Sequence, residues 1–510
     1  MSQKLARVAL AGLVLTSLAI AQTKVSPEFR ISLYFDSIRH QQPEMLAFLR
    51  EMPKGGDLHN HLAGALNAEN LIIWAAADGL CVDRPGSQLF PPPCDDSCVK
   101  SAKPAVKCAY QDQNLYNSLV DAWSMRNWER GHESGHDHFF ATFGKFFIAE
   151  DSHVGDALAE AAEQAAQDHL QYVELMHTAE DDQASQLASK LTWDDDFAKM
   201  RDQLLQGGLN EVVASARQHL NADEIKMHSD LQCGTAQADP GCNVTVRYIY
   251  QVLRGLPREV VFAQMVLGFE LAKNDPRFVG LNLVMPEDAY VPMRDFDLHM
   301  RMLDYLHSVY PNVHITLHAG ELSRPLVPPA AMRSHIRESI ELGHAERIGH
   351  GVDVMNEDDA TGLLHEMASR NILVEVCLTS NDEILGVKGD DHPFEIYRRY
   401  GVPVALSTDD EGVSRIDLTH EYVRAAVTYP LSYRDFKKMV RTSLEHSFLP
   451  GGSLWQQAIP ETLDKPVVAC AGQLGQDTPS GDCADLVSGS EKAQQQWELE
   501  RRIHTFEASF

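Results

Sequence analysis

Positive charge is scarce in this chain: 44 Lys and Arg face 73 Asp and Glu over 510 residues, a formal net charge of −29. A surface so acidic repels polyanions, which argues against nucleic acid and anionic membrane as partners. Long apolar runs are absent after residue 20, so no later segment is expected to span a bilayer. There is also no internal repeat and no long low-complexity tract, which excludes a solenoid array. What remains is 44% hydrophobic and long enough for one large α/β domain with decorations, or two smaller ones.

The first residues are the exception. Lys4 and Arg7 precede the apolar run from Val8 to Ile20, and Ala19-Ile20-Ala21 offers small residues at the two positions a signal peptidase reads. Residues 1–21 are therefore expected to be a cleaved signal peptide, the run being too short for a comfortable membrane anchor. The mature chain is expected to be soluble and exported, periplasmic or secreted. Loss of Lys4 and Arg7 makes it two charges more negative still.

Cysteine placement agrees with export. Cys81, Cys94, Cys98 and Cys108 cluster in a Pro-rich stretch, Cys233 and Cys242 lie nine apart, and Cys470 and Cys483 thirteen apart. Eight cysteines can thus pair in local loops, and the first cluster allows three pairings among which the sequence does not choose. Cys377 lies in the apolar run 372–378 and is expected to stay a free core thiol. As metal ligands, Cys94 and Cys98 have the wrong spacing and company.

Strand-like runs at residues 55–62, 172–176, 244–252, 278–284, 313–317, 347–349, 372–376 and 404–407 alternate with amphipathic stretches such as 156–169, 296–309, 329–342 and 358–369. Repeated βα units over this length predict an α/β fold, a (β/α)8 barrel of the TIM type, although a doubly wound open sheet satisfies the same alternation. The expected layout is an N-terminal arm at 22–50, a barrel at 51–455 carrying a disulfide-bearing insertion near 79–112, and a C-terminal extension at 456–510. Residues 490–506 read as a charged, Gln-rich helix with two places to dock, its own barrel or a second copy in a homodimer.

His59 and His61 lie two apart at the end of the first strand run, so their side chains share a face. His318 ends the fifth run, His350 the sixth, and Asp409 with Asp410 follows the eighth. In a barrel these ends meet at one mouth. Three imidazoles and a carboxylate suit one Zn²⁺, leaving an open position for a water whose pKa falls towards 7. Singly, each piece is ordinary: among 23 histidines an H-x-H pair is usually structural, and Asp409-Asp410-Glu411-Gly412 can be an acidic loop. Their joint placement at strand ends is what argues for a site.

Four blocks then resemble, in order, those of the adenosine deaminases: Met52-Pro53-Lys54-Gly55-Gly56-Asp57-Leu58-His59-Asn60-His61-Leu62, His318-Ala319-Gly320-Glu321, Arg347-Ile348-Gly349-His350-Gly351 and Ser407-Thr408-Asp409-Asp410. The leader, the arm and the Met-Pro-Lys-Gly-Gly entry look most like the secreted, growth-factor-related branch. The resemblance implies hydrolytic deamination of adenosine, or a close adenine nucleoside, with zinc held by His59, His61, His318 and Asp409. It implies that Glu321 protonates N1 of the purine, that His350 orients the attacking hydroxide and accepts its proton, and that Asp410 bonds the N7 side. Attack at C6 pushes charge onto N1, which is why an acid is needed there. Phe139, Phe140 and Phe143 resemble an aromatic segment that walls the purine pocket, though a core-facing stripe has the same pattern. Ser380 is a candidate partner for the metal carboxylate.

Two positions depart from the family. Ala63 stands where an Asp commonly grips the ribose 5′-hydroxyl, and Met285, in Leu283-Val284-Met285-Pro286-Glu287, stands where a glycine usually offers its N–H to N3. Rival motifs are weaker. His132-Glu133-Ser134-Gly135-His136 fits the H-E-x-x-H of zinc proteases, but Gly131 and Gly135 flank and interrupt the helix it requires. His344-Ala345-Glu346 fits the H-x-E of cytidine-type deaminases, but Pro93-Cys94 to Cys98 has the wrong gap and comes earlier. Intact ligands, acid and base argue against a binding protein that has lost its chemistry. An amidohydrolase acting on another purine or an amide is the chief alternative, because such a centre is a general hydrolytic tool.

Overall fold

The computed structural model describes residues 26–510 apart from Asp96 and Lys100, so the expected leader at 1–21 lies outside the described residues. Eight strands pair in parallel and in sequence order: β1 Gly55–His61, β2 Leu170–His177, β3 Thr245–Leu253, β4 Phe278–Val284, β5 His314–Ala319, β6 Arg347–His350, β7 Leu373–Val376 and β8 Val404–Leu406. The ring closes between β8 and β1, where Asp409 N–H donates to His59 O at 2.9 Å and His61 N–H donates to Asp409 O at 3.1 Å. That closure rules out the open sheet. Each of the eight runs read from the sequence becomes one of these strands. Strands buried on both faces must be nearly continuous in apolar residues, and β4 is buried at every position.

Crossover helices Val154–Gln167, Arg258–Asn274, Tyr290–Val309 and Ala360–Arg370 surround the barrel. The stretch expected to be helical at 329–342 is instead split, a short turn at Pro329–Met332 followed by a helix at His335–Glu341. The break falls at Ser334, whose φ of −147° lies outside the helical range, and the helix proper starts only after it.

The arm forms α1 Pro27–Ile38 and α2 Gln42–Glu51, and the chain ends in a helix at Glu491–Ala508. Phe35, Phe48, Tyr433, Phe436, Phe506 and Phe510 join these elements in one aromatic cluster. The terminal helix docks on its own barrel: Arg441 pairs with Glu500 at 2.6 Å, and Gln171 Nε2 donates to Gln495 O at 2.7 Å. Among the described residues no helix is long and apolar enough to cross a membrane.

Disulfides join Cys81 to Cys94, Cys98 to Cys108, Cys233 to Cys242 and Cys470 to Cys483, while Cys377 is free and buried. All four loops are local, and the pairing left open in the first cluster is sequential. The protease motif does not lie on one helix. Ser134 caps a helix that starts at Gly135, the His132 side chain is 84% exposed outside it, and His136 Nε2 lies 3.0 Å from Asp288.

Candidate active site at the barrel mouth

His59 and His61 at the end of β1, His318 in β5 and Asp409 after β8 bring their ligand atoms within 4.8 Å of one another. His59 Nε2 and His61 Nε2 lie 3.1 and 3.2 Å from His318 Nε2, and 3.6 and 3.3 Å from Asp409 Oδ1. The opposite ring nitrogens show what these contacts are. His59 Nδ1 faces Glu375 Oε2 at 2.7 Å, His61 Nδ1 faces Gln251 Oε1 at 2.7 Å, and His318 Nδ1 faces Asn282 Oδ1 at 3.0 Å. Each partner is an acceptor, so each Nδ1 carries the ring proton and, in the neutral ring that a metal requires, each Nε2 presents a bare lone pair. Three lone pairs and a carboxylate turned on one point repel one another unless a cation lies between them. A tetrahedral ion with ligands at about 2.0–2.1 Å has ligand-to-ligand edges of about 3.3 Å, the spacing seen here.

The outer partners are themselves anchored. Glu375, buried in β7, accepts from Thr316 Oγ1 at 2.9 Å and pairs with Arg347 Nε at 2.6 Å. Arg347 also pairs with Glu174 of β2 at 2.6 Å, all three side chains being at most 1% exposed. Asp57 accepts from Thr408 Oγ1 at 2.6 Å and from His59 N–H at 3.2 Å, tying the β1 end to the turn that presents Asp409. Gly349 makes room for the ligand ring, since a Cβ there would lie 2.6 Å from His59 Cε1.

Glu321 and His350 flank the donor set. His350 Nε2 lies 3.7 Å from Glu321 Oε1 and 3.9 Å from Asp409 Oδ2. Glu287 holds the Glu321 turn by accepting Glu321 N–H at 2.8 Å and Gly320 N–H at 3.3 Å. Burial, with Asp409 and Glu287 nearby, pushes the Glu321 carboxyl well above the usual carboxylate range, as suits a proton donor. Burial pulls His350 down to about 3 and keeps it neutral. Burial and then Asp409 push Asp410 up; its Oδ1 has no partner among the described residues and lies where a Gly64 Cβ would be, 1.6 Å from that position. Cys377 lies within reach of His350 and Asp409, but burial pushes its thiol up and it stays protonated.

Backbone strain gathers here. Met285, His350 and Asp409 adopt φ of 83°, 68° and 65°, left-handed values that cost a side-chain-bearing residue about 1–2 kcal/mol each. At Met285 this explains why glycine is the usual residue. The methionine keeps the glycine-like backbone, and its Sδ folds to 3.3 Å from Gly255 N.

All seven residues proposed for metal and catalysis thus converge. Phe139, Phe140 and Phe143 lie on the helix Gly135–Glu150, where Phe139 is 1% exposed and stacks edge-on to the other two. Ser380 does not do what was expected: its buried hydroxyl has no partner among the described residues, and its neighbour Asn381 bonds His350 instead. Sequence reasoning gave no part to Glu375, Asn282, Gln251 or Asn381. The available signal was a lone polar residue inside an apolar strand run, as in Leu281-Asn282-Leu283 and Val374-Glu375-Val376.

The family model for adenosine deaminase matches residues 108–465. Adenosine deaminase of Clostridium perfringens is 37% identical over 135 residues, which is 26% of this chain and 37% of that protein, so the match spans little more than a third of the relative. Two solved structures share the fold. The N6-methyl-AMP deaminase from Arabidopsis thaliana has a TM-score of 0.50 at 20% identity, covering 79% of this chain and 94% of that one. An amidohydrolase from Burkholderia ambifaria with bound Zn has a TM-score of 0.53 at 14% identity, covering 91% and 94%. A family match over residues 108–465, most of the chain, makes this protein a member of the adenosine deaminase family.

Proposed function

We propose that the protein is an exported, Zn²⁺-dependent hydrolase that deaminates adenosine, or a close adenine nucleoside, to the inosine-type product and ammonia. The observation that carries this reading is the set of three bare Nε2 atoms and one carboxylate flanked by Glu321 and His350. Zinc, when bound, supplies a Lewis acid that lowers the pKa of a water. Glu321 donates its proton to N1 as C6 is attacked, His350 holds the attacking oxygen, and Asp410 faces N7 with its unpartnered oxygen. Met285 offers its backbone N–H to N3, and Phe139 and Phe140 wall the base. The deaminase relatives and the zinc-bearing neighbour support the choice of reaction and metal. Four disulfides support an oxidising compartment, hence export.

The test is to load the mature protein with zinc, count the bound metal, and follow ammonia release from a nucleoside panel. About one zinc per chain and turnover of adenosine are expected; ammonia release only from non-purine amides would instead favour another amidohydrolase reaction.

Ala63 sets a finer expectation. A carboxylate gripping the ribose 5′-hydroxyl is worth about 1.5–3 kcal/mol, and about 1.4 kcal/mol is tenfold in rate. Without that grip, 5′-deoxyadenosine is expected to show kcat/KM within about tenfold of adenosine, and Ala63→Asp to widen the gap in adenosine's favour. AMP is expected to be poor, its phosphate being repelled by the acidic surface. A preference for adenosine over the 5′-deoxy compound of about a hundredfold or more means that another side chain holds the 5′ end.

A further inference from the structure

Asn381 and His392 are buried beside the site, 0% and 3% exposed, and belong to neither the donor set nor its outer partners. Asn381 lies in the helix Leu378–Leu385 that follows β7, and His392 just ahead of the helix Phe394–Tyr400. Phe394 N–H donates to His392 Nδ1 at 3.1 Å. A backbone amide can only donate, so this nitrogen carries a lone pair and the imidazole proton must sit on Nε2. Burial, which pulls His392 down to about 3, agrees with a neutral ring.

His392 Nε2 lies 3.0 Å from Asn381 Oδ1, which orients the amide. Its NH2 group then faces His350, with Nδ2 at 3.0 Å from His350 Nδ1. His350 Nδ1 is therefore an acceptor as well, and the His350 proton also sits on Nε2. The three metal-facing histidines have the opposite arrangement, each with its proton on Nδ1 and held there by an acceptor. The site thus holds two tautomers, set by two kinds of partner.

We propose that Asn381 and His392 are positioning residues that fix His350 as an Nε2–H donor, so that His350 holds the attacking oxygen by a hydrogen bond and the proton that oxygen loses goes instead to the Asp409 carboxylate, whose Oδ2 lies 3.9 Å from His350 Nε2. This replaces the proton-accepting role that the family resemblance implies for His350. The kinetic half rests on the hydrolytic reading of the site; the tautomer does not.

The test is a ring-nitrogen NMR spectrum of the zinc-loaded mature chain labelled with ¹⁵N-histidine, with His350 assigned by its loss in His350→Gln. The expected spectrum shows the His350 proton on Nε2 and a pyridine-type Nδ1. Asn381→Asp replaces the amide donor by an acceptor and is expected to move the proton to Nδ1. With it kcat should fall about 10–100-fold while KM stays within about threefold. His392→Leu is expected to release the amide and mix the tautomers, and His392→Gln, which keeps a donor, to restore the native pattern. A His350 proton on Nδ1 in the unaltered chain overturns the proposal, whatever the variants do. So does an Asn381→Asp chain with the native tautomer. A chain that deaminates nothing overturns the proposed reaction, and the nitrogen spectrum still decides the tautomer.

Discussion

Glu321→Gln is expected to keep its metal and lose about 10³-fold in kcat. Glu321 is not among the four atoms that converge on the metal position, so the substitution leaves that set whole. Its turn also survives, because Glu287 grips the backbone N–H groups of Gly320 and Glu321 and not the side chain. What goes is the proton. Glutamine can still donate a hydrogen bond to N1 but cannot transfer the proton that N1 gains as C6 becomes tetrahedral, and a positioned acid contributes about 10²–10⁴-fold. His318→Ala is the contrasting case, expected to lose metal and turnover together. Metal content by elemental analysis and kcat on adenosine, measured for both variants, separate the two roles. Full activity in Glu321→Gln removes Glu321 from proton transfer.

The barrel was legible because strands buried on both faces leave a nearly unbroken apolar record, as from Phe278 to Val284, where Asn282 is the one polar residue. The donor set was legible because a barrel brings strand ends together, so that His318 and Asp409 meet His59 and His61 across the mouth. Polar partners behind the ligands were not. Glu375 and Asn282 occur singly in strands, and nothing local tells which ring or cation lies across the barrel from them. Asn381 was missed for a similar reason: Ser380 and Asn381 are adjacent helical residues pointing in different directions, and only the fold decides which one reaches His350. The cysteine cluster allowed three pairings until backbone geometry chose one. Met285 was visible as a departure, but its reason, a left-handed φ of 83°, was not.

Arg347→Met is expected to lower stability by about 3–5 kcal/mol, a large part of the roughly 5–15 kcal/mol that a folded domain has. The guanidinium, 1% exposed, lies between Glu174 Oε2 and Glu375 Oε1 at 2.6 Å each, with its carbon 3.8 Å from the Phe448 ring centre. Methionine fills much of the space but leaves two buried carboxylates with no cation. Burial alone would raise Glu375; Arg347, then the His59 contact, hold it below its usual value. Without Arg347 the cheapest relief is for one carboxyl to take up a proton. If Glu375 takes it, that oxygen can no longer serve His59 Nδ1–H as a full carboxylate acceptor, and His59 becomes a weaker ligand. A loss of about 10–100-fold in metal affinity is expected alongside the loss of stability. Arg347→Met combined with Glu174→Gln removes one of the stranded charges and is expected to recover part of the stability, because the cost lies in unpaired charge and not in lost volume. Urea melts of the metal-free chains and zinc titrations of the folded ones measure the two effects separately. A single variant that melts within about 1 kcal/mol of the unaltered chain and binds zinc equally well shows that the buried pair does not support the metal histidine.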